Sequence, residues 1–449
     1  MANSNYVRHD KNNTAVDPQP GSTDASDLGG SSGWTEVSYK NFNADYEAHD
    51  HLNQDRTPGT YQARNTNNTV RTPAAYVRHD KDNNPLVAAL KLVVGAFFQD
   101  GYRGAAFTYD ADGTNPVKVN RSDIASFDEF ALSVAIENSK VVLGAMSDDD
   151  AGTSSGSAYI FNTDGTGEIK LTASDAAAGD RFGYSVAIGN SKVAVGARDE
   201  GTGGAVYVYN LDGTGEVKIT PSDTASSDEF GRSVVIGNNK LYVGSPQDDD
   251  NGSTSGSVYI YNLDGTGEVK LTPSDGRSFA RFGNALAFGH NKIVVGAFMD
   301  DPAGDPPAGG SVYVYDPDGT NELKIRSSDI ASSDDFGHAV AIGSNKIVVG
   351  ALTDDDGASN TGSVYVYNLD GTGEVKITAS DAADGNQFGA AVAVGGDKVY
   401  VGAKFGDDTG TTNNSGSMYI YNLDGSGEVK IPNPEGDSNA RFGASIALG

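Results

Sequence analysis

The chain has 449 residues and a formal net charge of −29, from 32 basic and 61 acidic side chains. This excess of acid opposes nonspecific binding to nucleic acid or anionic membranes, and it favours cations or neutral glycans as partners. The sequence contains no cysteine, which excludes a disulfide framework, thiol chemistry and cysteine-based zinc sites.

No apolar stretch marks a targeting or membrane segment. The first twenty residues lack the apolar core of a secretory signal, and no later stretch approaches the roughly eighteen apolar residues of a membrane span. We therefore expect a soluble protein without membrane insertion.

Residues 1–85 differ in composition from the rest of the chain. They are rich in Asn, Asp, Thr and Pro, poor in Leu, Ile and Val, and show no sustained helical or strand period. A segment of this composition cannot bury a core of its own. We expect an extended anchoring arm with little regular structure, ordered on the surface of a partner.

Within this arm the hexapeptide Tyr-Val-Arg-His-Asp-Lys occurs twice, at residues 6–11 and 76–81. The identity suggests two equivalent docking strands, and the alternative is a relic of duplication with no role. The candidate docking residues are Tyr6, Arg8, His9, Tyr76, Arg78 and His79.

The arm also contains a His-Asp-His cluster at residues 49–51, whose side chains are ligands suited to zinc or nickel. Surface histidines without a metal are far commoner than such sites.

From Leu92 onward the sequence repeats. In one copy, residues 185–188 and 192–195 are runs of β-branched and small residues around a Gly-Asn-Ser turn. Two further runs follow, at residues 205–209 and 216–219, and the Asp-Gly between them supplies the positive φ that a tight hairpin needs. One repeat therefore predicts four antiparallel strands.

Two marks of the repeat recur at a spacing of about fifty residues, which is typical of propellers or solenoids. Each occurs seven times. The glycine after the second strand is Gly95, Gly144, Gly196, Gly244, Gly296, Gly350 and Gly402. The phenylalanine that opens the first strand is Phe130, Phe182, Phe230, Phe282, Phe336, Phe388 and Phe442.

The order of these marks predicts a closed ring. The first copy lacks a Phe-Gly strand, and the chain ends on an isolated one at residues 442–449. The two ends therefore complete one blade between them and leave no open sheet edge. We predict an all-β fold: a seven-bladed β-propeller of four-stranded antiparallel blades over residues 86–449, closed by the C-terminal strand and preceded by the arm.

Phe-Gly, a Ser-Val-Ala-Ile-like strand and then Val-Gly-Ala resemble the FG-GAP repeat, the unit of the integrin α-subunit head. The resemblance covers residues 92–449 and implies the blades of a propeller. It departs at Phe130-Ala131, where glycine is missing, and at Gly244-Ser245-Pro246. The family's Asp-x-Asp-x-Asp-Gly calcium loop is also absent between the first two strands, so the integrin calcium sites do not carry over.

In an up-and-down blade, the loops between strands two and three share one face with the loops between blades. We call this face the acidic face, because most of the loop carboxylates fall there. The candidate cation or ligand residues are Asp148, Asp149, Asp150, Asp199, Asp248, Asp249, Asp250, Asp300, Asp301, Asp354, Asp355, Asp356, Asp407 and Asp408. Clustered carboxylates suit Ca²⁺, which can bridge to glycan hydroxyls, and the alternative is that Asp begins turns and solvates loops.

Catalysis has little support in the sequence. The propeller contains two histidines, His290 and His338, and shows neither a Gly-x-Ser-x-Gly elbow nor a phosphate loop. We expect no enzymatic activity.

The Tyr-Asn-Leu-Asp-Gly-Thr-Gly-Glu hairpins look like those in tail-fibre and other structural proteins of marine bacteriophages. This resemblance implies a virion structural or adhesion protein, assembled in the host cytoplasm as part of a symmetric multi-copy particle. We expect the arm to bind other virion proteins and the acidic face to bind a glycan or protein of the host surface, with Ca²⁺ as the candidate cofactor. Three alternatives stay open: a capsid-decorating protein without a receptor role, a secreted bacterial adhesin, and a polysaccharide depolymerase.

Overall fold

The computed structural model describes residues 90–449, apart from residues 124, 302–308, 356–358 and 407–413, and four two-residue strands nearer the N-terminus. The chain divides into two compact units, Met1–Ala88 and Ala89–Gly449.

The first unit contains two short antiparallel ladders. Arg8–His9 pairs with Ala15–Val16, and Arg78–His79 pairs with Pro85–Leu86. The Arg-His pair of each hexapeptide copy thus lies in an equivalent ladder. The docking role of their side chains, the anchoring arm and the cluster at residues 49–51 lie outside the described residues.

The second unit consists of seven four-stranded antiparallel sheets, which we number as blades 1 to 7 in the chain order of their second strands. The first, innermost strands are Ser445–Leu448, Phe130–Glu137, Phe182–Gly189, Ser233–Gly237, Ala285–Gly289, Phe336–Gly343 and Phe388–Gly395. The second strands are Lys91–Ala96, Lys140–Ala145, Lys192–Ala197, Lys240–Ser245, Lys292–Ala297, Lys346–Ala351 and Lys398–Ala403. The third strands are Ala105–Asp110, Ser157–Asn162, Ala205–Asn210, Ser257–Asn262, Ser311–Tyr315, Ser363–Asn368 and Ser417–Asn422. The fourth, outer strands are Val117–Val119, Ile169–Leu171, Val217–Ile219, Val269–Leu271, Leu323–Ile325, Val375–Ile377 and Val429–Pro432.

Helix is nearly absent from the part of the chain that the structure describes. One helical turn, Gln99–Tyr102, lies between the second and third strands of blade 1. Within the described residues, no helix has the length and apolar character needed to cross a bilayer.

The C-terminal strand closes the ring, as the split repeat predicts. Ser445–Leu448 pairs antiparallel with the second strand of blade 1, with Ser445 opposite Gly95 and Leu448 opposite Leu92. The Lys91 amide donates to the Gly449 carbonyl at 2.8 Å, and the Gly449 amide donates to the Lys91 carbonyl at 3.0 Å. The predicted seven-bladed propeller and its closure are therefore confirmed.

The hydrophobic core lies between blades. Seven clusters of buried side chains occur among the described residues, one at each junction between neighbouring blades. At the junction of blades 2 and 3, for example, Val142 and Ile160 pack with Phe182, Val195 and Tyr207. The second and third strands are covered on both sides by neighbouring blades, which is why they read as nearly continuous apolar runs instead of alternating ones.

The Phe-Gly motif of one blade contacts the Val-Gly-Ala motif of the preceding blade at each junction between blades. The Phe182 ring is fully buried and stands edge-on to Tyr207, with centroids 5.4 Å apart. Its amide donates to the Ser155 carbonyl of the preceding blade at 3.0 Å. The next carbonyl, that of Gly183, fills the space where a Cβ on Gly144 would lie, so any larger residue at Gly144 would overlap backbone. The glycines of the repeat therefore set the spacing between blades.

Blade 2 departs from this pattern where the sequence does. Ala131 replaces the glycine of Phe-Gly, and it adopts a left-handed φ of 67° while fully buried. Its carbonyl still occupies the space beside Gly95, so the junction keeps its geometry. The left-handed conformation is strained for a residue with a Cβ, and here the surrounding contacts enforce it.

Removing residues 440–449 tests ring closure. The deletion takes away the buried Ala440 and Phe442 and leaves Lys91–Ala96 as an open sheet edge. We expect the free energy of unfolding to fall by at least about 3 kcal/mol, the cost of losing one buried phenylalanine. Thermal denaturation followed by circular dichroism measures the loss.

A synthetic peptide of residues 440–449 is the control for that deletion. Added in excess to the truncated chain, it should restore part of the lost stability by filling the vacant strand position. A truncated chain that melts like the full chain as a monomer would contradict the closure.

Candidate functional site

The acidic face collects carboxylates from two kinds of loop in each blade. In blade 4, Asp248 and Asp250 follow the second strand, while Asp223 lies in the loop that enters the blade. Their carboxylate oxygens lie within 4.8 Å of one another, and Asp123, Asp148 and Asp150 form the same group in blade 2. The sequence prediction that these loops share a face is consistent with this convergence.

In four of these loops the first acid is buried. Asp148, Asp248, Asp300 and Asp354 are each 3% exposed or less. Each accepts a hydrogen bond from the hydroxyl of a buried tyrosine in the third strand of its own blade. The donors are Tyr159 at 2.9 Å, Tyr259 at 2.7 Å, Tyr313 at 3.2 Å and Tyr365 at 2.7 Å. A buried carboxylate needs such partners, since burial of an unpaired charge is costly.

A lysine from the outer strand lies between the carboxylates. In blade 4 the Lys270 ammonium is 2.7 Å from Asp223, 2.7 Å from Asp248 and 2.5 Å from Asp250. The same ammonium lies 5.2 Å from the centroid of the Tyr259 ring, where a cation–π contact adds to the ion pairs. The place that Ca²⁺ would take among these oxygens is therefore held by a protein cation, and calcium would have to displace it.

The unit of lysine, aromatic ring and carboxylates recurs around the ring. Lys218 pairs with Asp175 and Glu200 in blade 3, and Lys324 pairs with Asp275 and Asp300 in blade 5. The remaining lysines are Lys118, Lys170, Lys376 and Lys430. We call each of these a lysine clamp, because it ties the short outer strand to both acidic loops in blades 1 to 6, and to the loop of Asp381 in blade 7.

The clamp shifts the titration of its members. Burial raises the pKa of the Asp223 carboxyl, but hydrogen bonds from Lys270 and Tyr259 outweigh it and hold the pKa below its usual value. Burial lowers the pKa of Lys270, but the hydrogen bonds from its amine to Asp223, Asp248 and Asp250 raise it above the usual lysine value. Lys270 therefore stays charged at physiological pH.

The other candidate acids differ in their surroundings. Four of them are exposed: Asp149, Asp249, Asp301 and Asp355. Two more are exposed but bind a clamp lysine: Asp150 and Asp250. Asp199 pairs with Arg181 at 3.1 Å and with Arg198 at 3.3 Å. Asp356, Asp407 and Asp408 lie outside the described residues. The candidate set thus mixes buried structural acids with exposed ones, and cation binding by the exposed acids stays a prediction.

Sequence reasoning missed the lysines and tyrosines of the clamp. A signal for them exists, because a lysine stands in the middle of every outer strand and an aromatic residue stands in the middle of every third strand. Both recur with the period of the repeat. Their meaning depends on which loops lie beside them, and the period alone does not show that.

Replacing Lys270 with Met tests the clamp and its pH dependence. The change keeps an aliphatic stem and removes the shared cation, so we expect a loss of about 1 to 2 kcal/mol of unfolding free energy at neutral pH. The folded pKa of Asp223 is depressed, so its contribution is complete above the unfolded pKa and disappears as pH falls through the folded pKa. The difference between wild type and K270M should therefore shrink from about pH 5 to about pH 3, as measured by urea denaturation.

Lys240→Met is the matched control. Lys240 opens the second strand of the same blade and donates to the neutral amide oxygen of Asn262 at 2.7 Å. Its charge is the last of the causes that lower the pKa of the exposed Asp264 carboxyl, so its loss should carry a much smaller pH dependence. A difference for K270M that stays constant down to pH 3 would show that carboxylates are not its stabilising partners.

Comparison with known families matches the FG-GAP repeat at residues 114–161, 166–209, 214–261, 266–315, 320–367 and 372–421. Each match runs from the outer hairpin of one blade to the third strand of the next, so the blade that is split between the chain ends falls largely outside. A search of curated proteins finds no match. Because the matched repeats cover more than half of the chain and coincide with the blades, the chain belongs to the FG-GAP repeat family.

Proposed function

We propose that this chain is a non-enzymatic structural and adhesion protein of a virus particle. In this proposal, residues 1–85 bind other virion proteins, and the acidic face of the propeller faces the host surface. The observation that carries it is the series of lysine clamps, which hold the loops of the acidic face on a closed ring. A rigid scaffold that displays loops is suited to binding.

The state of the titratable groups argues for binding over catalysis. Buried acids such as Asp248 are already bound to tyrosine and lysine of their own blade. A second set of buried acids, whose pKa burial raises, accepts a hydrogen bond from a backbone amide of the same loop: Asp180, Asp228 and Asp334. His290 accepts a hydrogen bond from the Asn345 amide at 3.2 Å. Burial, with Lys404 and Arg232 nearby, lowers the pKa of His338 to about 3, so it stays neutral at physiological pH. Each group has a structural partner or is held in one protonation state.

The virion assignment rests on the hairpins between the third and fourth strands. In the Asp212 hairpin, the carboxylate accepts from the Thr214 amide at 3.0 Å and from its hydroxyl at 2.7 Å. The same turn recurs at Asp164, Asp264, Asp318 and Asp370. Near-identical turns of this kind resemble those of marine bacteriophage structural proteins, and they support the proposal that the chain comes from such a particle.

Antibodies raised against the propeller test this function. We expect immunogold electron microscopy to label intact particles, and Fab fragments that bind the acidic face to reduce adsorption of particles to host cells. Detection of the chain on the bacterial surface or in the secreted fraction, with unlabelled particles, would contradict the virion assignment.

A chain that lacks residues 1–85 separates anchoring from display. Because Ala89–Gly449 is a compact unit by itself, the shortened chain should keep its circular dichroism spectrum. We expect it to be absent from purified particles. Incorporation at the wild-type level would show that the anchor lies elsewhere.

A further inference from the structure

Blade 1 departs from the other blades on the acidic face. Its loop between strands two and three contains the helical turn Gln99–Tyr102 instead of a pair or triplet of acids. Gln99, fully buried, takes the position of the buried acid. Its amide donates to Glu435 at 2.9 Å and to Asp437 at 2.7 Å, and its carbonyl accepts from Asn433 at 3.0 Å. The turn is thus fixed to the loop that precedes the closing strand.

This turn presents an aromatic surface together with the loop that enters blade 2. The rings of Tyr102 and Phe127 are stacked, with centroids 5.2 Å apart and planes inclined by 16°. Phe98 supports Tyr102 edge-on at 5.1 Å. Phe127 is 64% exposed and Tyr102 is 40% exposed. We call the pair Tyr102 and Phe127 the aromatic platform.

The backbone of the platform is strained. Tyr102 has a φ of 72° and Phe127 a φ of 73°, both in the left-handed region that bulky side chains avoid. In blades 4 and 6 the position of Phe127 is taken by Ser227 and Ser333, with φ of 73° and 67°. The loop therefore does not need a phenylalanine, and the exposed ring gains little from burial. The left-handed φ at Phe127 therefore belongs to the repeated loop, and the exposed ring is what distinguishes this position from Ser227 and Ser333.

Polar groups surround the platform. A pocket of about 330 Å³ is lined by Phe98, Asp100, Tyr102 and Asp437. A second pocket of about 210 Å³ shares Asp100 with the first and is lined by Arg103 and Arg121 among others. Asp100 itself has a left-handed φ of 55°.

Arg121 has one unsatisfied donor beside the second pocket. It is 3% exposed, and its Nη2 binds Asp128 and donates to the Ala125 carbonyl at 3.2 Å. Its Nε lies 3.3 Å from the Asp123 carboxylate, whereas its Nη1 has no hydrogen-bond partner. Buried guanidinium donors are normally satisfied, so a ligand atom or a water is expected at this point.

We infer that this surface of blades 1 and 2 binds a sugar residue of a neutral polysaccharide. A pyranose ring has an apolar face that fits a stacked aromatic pair, and its hydroxyls fit the carboxylates of Asp100 and Asp437 and the unsatisfied Nη1 donor of Arg121. The net charge of −29 disfavours an acidic polysaccharide. This inference rests on the proposed adhesion function and names its ligand class.

Phe279 provides a matched control within the same chain. It stands at the same position as Phe127 but before blade 5, with a φ of 70° and 60% exposure. Its amide donates to the Ser253 carbonyl at 2.7 Å, as the Phe127 amide donates to the Tyr102 carbonyl at 2.7 Å. Among the ring contacts of the described residues, Phe279 has no stacking partner. Strain and exposure are therefore equal at the two sites, while the platform exists at one.

The test compares the full-length chain with the variants Phe127→Ser and Phe279→Ser. Oligosaccharides of glucose, mannose, galactose and N-acetylglucosamine are titrated by calorimetry and saturation-transfer NMR. We expect at least one of them to bind wild type, F127S to bind it roughly tenfold more weakly, and F279S to bind it as wild type does. Serine already occupies this backbone position in two blades, so both variants should fold normally.

Equal affinity of F127S and wild type would overturn the inference, as would wild-type binding to none of these neutral sugars. Attachment of the full-length chain to host cells distinguishes this failure from that of the proposed function. If F127S still attaches to host cells, the sugar-binding role of the platform is contradicted and the proposed adhesion function is not. If the wild-type chain binds sugar but does not attach to host cells, the adhesion function is contradicted and the sugar-binding role is not.

Discussion

The fold depends on one close backbone contact, repeated at every junction between blades. The carbonyl of the residue after the phenylalanine of one blade lies against the glycine near the end of the second strand of the preceding blade, as Gly183 lies against Gly144. A side chain on that second-strand glycine would overlap the carbonyl and separate the blades. Because the contact also brings Gly443 against Gly402, the last junction has the geometry of the others and the ring closes. All loops of the acidic face take their positions from this spacing.

Electrostatics would oppose so compact a ring if its acids were unpaired. A net charge of −29 creates self-repulsion, and the acidic face holds many of the carboxylates. The lysine clamps reduce this repulsion locally. In blades 1 to 6 each ammonium lies among two or three carboxylates and near an aromatic ring, as Lys270 does. The outer strands are short, and the clamp holds them to the loops. Much of the acid that looks available for ligands is therefore part of the structure.

The seven blades are so alike that a local departure is informative. Departures gather at blades 1 and 2, with Ala131 in place of glycine, Gln99 in place of a buried acid and Phe107 in place of the clamp tyrosine. The same region carries the stacked rings of the aromatic platform. Ring symmetry cannot explain features that occur once, and a single binding site can.

Blade number, strand order and closure could be predicted because they follow from local periodicity and from the split repeat at the chain ends. The burial of individual acids, and the side chains that bind them, could not be predicted. Asp148 and Asp149 are neighbours in sequence, yet the first is buried and the second exposed, because Tyr159 and Lys170 reach only the first from other strands. Phe127 likewise reads as an ordinary loop residue until Tyr102, twenty-five positions earlier, stacks on it. The sequence by itself determined the repeating backbone, whereas the tertiary structure decided which side chains meet, since those contacts join segments that no local pattern relates.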